Sequence, residues 1–157
     1  MENKDTVMVE SMSDHTVVVD VPELKISRTW TKRGQKYPFD RDSLFQAYYK
    51  PDVEFLFKEG IICTDDKEFL ISVGLMDEEK GETAIVKLTD AYMNRIIKLM
   101  PVADVKAEVA KLSETQKIEL GEYAVEHYTD LKLDRIDILS KLTHKDLLKA
   151  IENYKKA

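Results

Sequence analysis

Five cations and no acid fall within Lys25–Tyr37, KISRTWTKRGQKY: Lys25, Arg28, Lys32, Arg33 and Lys36, with the only tryptophan, Trp30, among them. The whole chain has a net charge of -6, so this stretch runs against its surroundings. Positive charge at such density attracts phosphate or carboxylate. Rings among the cations add faces on which bases, guanidinium groups or apolar side chains stack. The stretch therefore reads as a binding surface, with Lys25, Arg28, Trp30, Lys32, Arg33, Lys36 and Tyr37 as its partner-contacting residues. An acidic protein surface and a nucleic-acid backbone both suit it. A solvated edge with Trp30 lying over a small core has the same composition.

Groups that could break or make bonds are scattered. Cys63 is the single cysteine, and a thiolate nucleophile needs a base and an electropositive setting. Its neighbours Ile61 and Ile62 instead mark a small core residue. His15, His127 and His144 stand far apart, without triad or metal-site spacing; His127 beside Glu126 and Asp130 is the nearest approach to a ligand set. The acid pairs Asp65-Asp66 and Glu78-Glu79 could hold a cation, yet adjacent acids at helix starts serve equally as caps. Five scattered glycines form neither GxGxxG nor GxxxxGK[ST]. The expectation is a binding protein rather than an enzyme, with no catalytic, cofactor or metal residue assigned.

The rest of the chain must position the basic stretch. At 157 residues and 43% hydrophobic content it can bury an ordinary core. One cysteine forms no intrachain disulfide, and the first residues, MENKDTVMVESMSDH, contain no apolar signal core, so synthesis in the cytoplasm is expected. No apolar run reaches the roughly 20 residues of a membrane span.

Residues 1–14 mix acids, serines and methionines and read as a flexible or partner-ordered arm, with Met8 and Met12 exposed as adaptable anchors. Thr16–Val21 reads as a strand that Pro22 ends. Leu24–Trp30 alternates as a second, and Gln35–Phe39 returns across the Gly34 turn to close a basic hairpin. Asp40 or Asp42 caps a helix holding Leu44, Phe45 and Tyr48. Pro51 opens another along Val53, Leu56 and Phe57, ended by Gly60. Ile61–Cys63 is a short buried strand, and Asp65 or Asp66 caps a helix through Phe69 and Leu70. These make a small domain over 15–75, followed by a linker over 76–88.

Residues 89–157 read as a helical bundle. Thr89 caps its first helix and Pro101 opens the second. Ser113 and Gln116 have capping-box spacing before a helix that buries Ile118, Ala124, Val125 and Tyr128. Leu133, Ile136 and Leu139 mark the next, and Thr143 caps a last helix along Leu147, Leu148, Ile151 and Tyr154. The fold class is α+β: an N-terminal β unit with short helices, then a bundle. The helices from Ser113 to Tyr154 also permit a helix-turn-helix reading, which interspersed Asp130, Asp134, Asp137 and Asp146 weaken.

The segment PDVEFLFKEGIICTDDKEFLISVGL, Pro51 to Leu75, preceded by PELKISRTWTKRGQKYPFD, resembles a small uncharacterised protein of large tailed bacteriophages, including crAss-like phages. The likeness runs on through MPVADVKAEVAKLSETQ and DILSKLTHKDLLKAI. It departs at Asp52, where that family has glycine, and at Cys63-Thr64, where aromatic and acidic residues are commoner. It carries no catalytic residue, and the matching Arg28, Trp30, Gly34, Phe57 and Gly60 are architectural.

What the resemblance implies is a virion-associated product, a capsid auxiliary or connector-associated protein. The charge segregation adds a mechanism: the acidic arm and basic hairpin dock onto other phage structural proteins of capsid or neck, or onto a second copy. The alternative is a nucleic-acid-binding regulator of a phage.

Overall fold

The computed structural model describes residues 5–83 and 85–157, which divide between two compact units, Met1–Lys87 and Leu88–Ala157. The architecture is α+β: small sheets with short helices in the first unit, helices alone in the second.

Val7, Val9 and Ser11 are buried while Met8 between them is exposed, so Thr6–Ser11 forms a strand, β1, at the centre of a sheet. It pairs antiparallel with β4 (Lys36–Asp40) on one side and β5 (Ile62–Cys63) on the other. The expected arm is thus mostly interior. Met12 is only 2% exposed, and the Ser11 hydroxyl accepts from Ser13 N–H and donates to Ser13 C=O. Residues 1–4 of that arm lie outside the described residues.

The basic hairpin is likewise corrected. β2 (Val17–Val21) turns through a single 3-10 turn, Pro22–Leu24, and pairs with β3 (Ile26–Trp30) in a separate two-stranded sheet. Lys25 closes that turn at φ 56, its N–H donating to Pro22 C=O. β3 therefore never meets β4, because each strand finds its partner earlier in the chain. Ser11 N–H donates to Gln35 C=O and Arg41 N–H to Asp5 C=O, so Lys36, Pro38 and Asp40 turn their backbone groups away from β1. The N–H that Pro38 lacks thus falls on the unpaired edge, which discourages another strand from adding there.

Local capping sets the helices of this unit. Asp40 accepts from Ser43 N–H to start α1 (Arg41–Tyr48). Pro51 opens α2 (Pro51–Lys58), and Asp66 accepts from Phe69 N–H to start α3 (Lys67–Ser72). Gly60 at φ 74 stops α2. Tyr48, Phe57 and Phe69 meet ring to ring at 5.5–6.2 Å and join the core beneath the sheets. The expected linker is folded too: Asp77 N–H donates to Glu82 C=O, and its carboxylate accepts from Glu79 and Lys80 N–H.

In the second unit Thr89 caps α4 (Asp90–Asn94), which widens into a π turn over Arg95–Leu99. Met100 N–H donates to Arg95 C=O, passing over its α-helical acceptor Ile96, and Pro101 has no N–H to offer in its place. The Arg135 guanidinium fills that vacancy, donating to Ile96 C=O at 2.7 Å. Helix α5 spans Val102–Val109, and the Ser113–Gln116 capping box starts α6 (Glu114–Glu126).

α6 buries Gln116, Leu120, Tyr123 and Ala124, a face that excludes Ile118, which is 55% exposed; Tyr128 lies past its end. α7 runs Leu133–Thr143. Thr143 is its last residue rather than a cap: its hydroxyl donates to Leu139 C=O, and Asp146 instead caps α8 (Leu147–Lys156) by accepting from Lys149 N–H. Leu148 and Tyr154 remain exposed on α8.

Candidate docking surface

The seven residues of the basic stretch separate into three groups. Trp30 is 0% exposed, stacks on Phe39 at 5.9 Å, leans on Tyr37 at 5.5 Å, and donates its indole N–H to Val9 C=O. It is an interior residue, because its place on β3 opposite Val17 faces the core. Tyr37 is half-buried, its hydroxyl accepting from the Gln35 amide. Neither ring is laid open for a base, so Trp30 and Tyr37 do not supply the stacking faces assigned to them.

Arg28 and Arg33 form the second group. The Arg28 guanidinium lies 6.0 Å from the Tyr37 ring centre and 5.7 Å from that of Phe39, with an N–H donated to Ser27 C=O. Arg33 has a side chain 9% exposed and pairs with Asp14 at 3.4 Å. Both cations serve the fold first.

Lys25, Lys32 and Lys36 remain as exposed lysines. Among the described residues no acid lies within ion-pair distance of them, whereas Lys50, Lys58 and Lys87 are each paired. They do not form one patch. Lys32 and Lys36 flank the turn between β3 and β4, and Lys25 precedes the other end of β3, five residues or roughly 17 Å of strand away.

Two aromatic residues at α1 form an exposed pair that the sequence left unassigned. Phe45 is 37% and Tyr49 61% exposed, their rings edge to face at 5.4 Å on the outer side of α1. The ion pair of Lys50 with Glu23, 2.6 Å, ties the end of α1 to the turn carrying Lys25. It lowers the Glu23 pKa and raises that of Lys50. Tyr49 and Lys25 thus flank the same pair. The available signal was the i, i+4 spacing of Phe45 and Tyr49, each about 100° around the helix from Leu44 and Tyr48.

Three of the residues considered for catalysis are engaged in structure. Cys63 is half-buried and desolvation pushes its thiol up to about 12, so it stays protonated near neutrality. The His127 ring stacks on Tyr123 at 3.9 Å, with Nδ1 3.0 Å from Tyr123 C=O. Asp66, besides capping α3, accepts two hydrogen bonds from Arg41, at 2.8 and 2.9 Å, which lower its pKa. Among the described residues no group of three or more His, Cys, Asp or Glu stands ready for a metal ion. No described helix is long and apolar enough to cross a membrane.

The first unit also contains an apolar cavity of about 260 Å³. Phe57, Ile62, Leu70, Leu75, Met76, Ile85 and Val86 give it an apolar lining, with Thr83. Cys63, Thr64, Asp65, Lys67 and Lys87 complete its lining.

No family model matches the chain, and no curated protein or solved structure is significantly similar to it.

Proposed function

We propose that this chain is a non-enzymatic docking protein of a bacteriophage particle, held to neighbouring capsid or neck proteins by the surface of Phe45, Tyr49 and Lys25. The observation that carries the docking is the outward aromatic pair, two rings ordered against each other at 5.4 Å yet left to solvent. Large rings pre-arranged in this way lose little freedom on binding and contribute heavily to protein interfaces. The exposed lysines Lys25, Lys32 and Lys36 add local contacts for carboxylates of a partner.

The phage setting is supported by the resemblance of Pro51 to Leu75 and its flanks. The docking contact assigned to an acidic arm is dropped, since β1 occupies that part of the chain.

Quantitative mass spectrometry of purified particles tests the setting. A fixed copy number is expected, hundreds per particle for a shell component and about a dozen for a connector. Absence from particles, together with retention on DNA that falls steeply with salt, would establish the regulator instead.

A further inference from the structure

We propose that the apolar cavity lined by Phe57, Ile62, Leu70, Ile85 and Val86 binds a medium-chain carboxylate, tail inward and head group at Lys67 and Lys87. This site uses none of Phe45, Tyr49 and Lys25 and does not depend on the docking reading.

The cavity, about 260 Å³, is lined mainly by aliphatic, aromatic and sulfur-bearing side chains. Apolar cavities of roughly 150 Å³ already admit a ligand the size of benzene. The larger space here suits a chain of several methylenes, each adding about fourfold in affinity when buried.

Charge at the lining selects the head group. Lys67, Lys87 and Asp65 line the cavity, and because Lys87 is shared between Asp65 and Glu10, Lys67 is the cation left for a head group. Lys87 is held 3.3 Å from Glu10 and 3.6 Å from Asp65, which fixes where its ammonium sits. Lys67, at the start of α3, is exposed and has no acid within ion-pair distance among the described residues. A carboxylate can accept from Lys67 and from a remaining N–H of Lys87, whereas an ammonium head group has no acceptor at Lys67. The Thr64 hydroxyl, which already accepts from Asp66 N–H, has its own proton left to donate.

Octanoate, octanol and octylammonium, titrated calorimetrically into the full chain, separate tail from head group. Saturable octanoate binding is expected, at least tenfold tighter than either of the others. Lys67→Gln with Lys87→Gln should bring octanoate down to the level of octanol. Ile85→Trp, which fills the cavity, should abolish binding while the circular dichroism of the chain is kept. The proposal is overturned by native chain that does not bind octanoate, or by octylammonium or octanol binding as tightly.

Discussion

The unit Met1–Lys87 is built around rings, the unit Leu88–Ala157 around aliphatic chains. The one tryptophan and all five phenylalanines fall in the first, and Trp30, Phe39, Tyr48, Phe57 and Phe69 are buried there. In the second, Tyr123 is the sole buried aromatic residue among those described, beside Ile96, Ile97, Val105, Leu120, Leu139 and Leu147. Charge divides as unevenly: twelve Lys and Arg meet eighteen Asp and Glu in the first unit and twelve meet twelve in the second, so the whole surplus of -6 sits on the first. The contrast teaches where binding is encoded. The bundle balances its charges and buries its side chains by helix period. The β unit buries most of its rings yet leaves Phe45 and Tyr49 outside, on the half of the molecule with a net field.

The largest expected effect probes the ring-built core. Trp30→Ala should cost about 4 kcal/mol in denaturant unfolding followed by circular dichroism, since it removes a fully buried side chain at the contact of both sheets. A loss under about 1 kcal/mol would mean that Trp30 is peripheral, as the original binding reading required.

The matching probe in the bundle is polar. Arg135→Met should cost about 2 kcal/mol, because the Ile96 carbonyl loses its donor and neither Met100 nor Pro101 can replace it. Loss of protection at Met100 N–H in hydrogen exchange would localise the effect to the π turn.

Acid sensitivity should be lopsided. The two hydrogen bonds from Arg41 hold the Asp66 carboxyl below its usual pKa in the folded state. The stability it contributes is fully present above the unfolded carboxylate range, near pH 4, and is lost as pH falls through the folded value. Asp66→Asn should therefore destabilise the chain by about 1–2 kcal/mol at pH 7 and flatten its acid limb, read from thermal melts between pH 2 and 7.

The smallest effect has the opposite sign. Gly121 lies buried inside α6, where an added Cβ would meet Thr143 Oγ1 at 3.5 Å and Leu147 Cδ2 at 3.6 Å, ordinary contact distances. Gly121→Ala should raise stability by about 0.5–1 kcal/mol. A loss would show that α6, α7 and α8 are packed more tightly than those contacts allow.

What could be read from the chain follows the range of the forces involved. Asp40, Asp66, Thr89 and Ser113 act on amides three residues away, so their caps were legible locally. Strand β1 was not: Val7 and Val9 alternate only briefly among acids and methionines, and the partner that makes them a strand begins at Lys36. The basic stretch was legible as charge but not as geometry. Whether Arg33 is free depends on Asp14, nineteen positions earlier, and whether Trp30 is exposed depends on Val9 and Phe39. Phe45 and Tyr49 were hidden for another reason: α1 has apolar residues on two sides, and periodicity alone does not say which one the core takes.

Surface labelling of the chain, free and within purified particles, tests the docking claim most directly. Hydroxyl-radical modification of Phe45 and Tyr49, normalised to exposed Tyr154 on α8, should fall at least fivefold in the particle. Equal labelling in both states would contradict the account, because the aromatic pair would then be as open to water in the assembly as in the isolated protein.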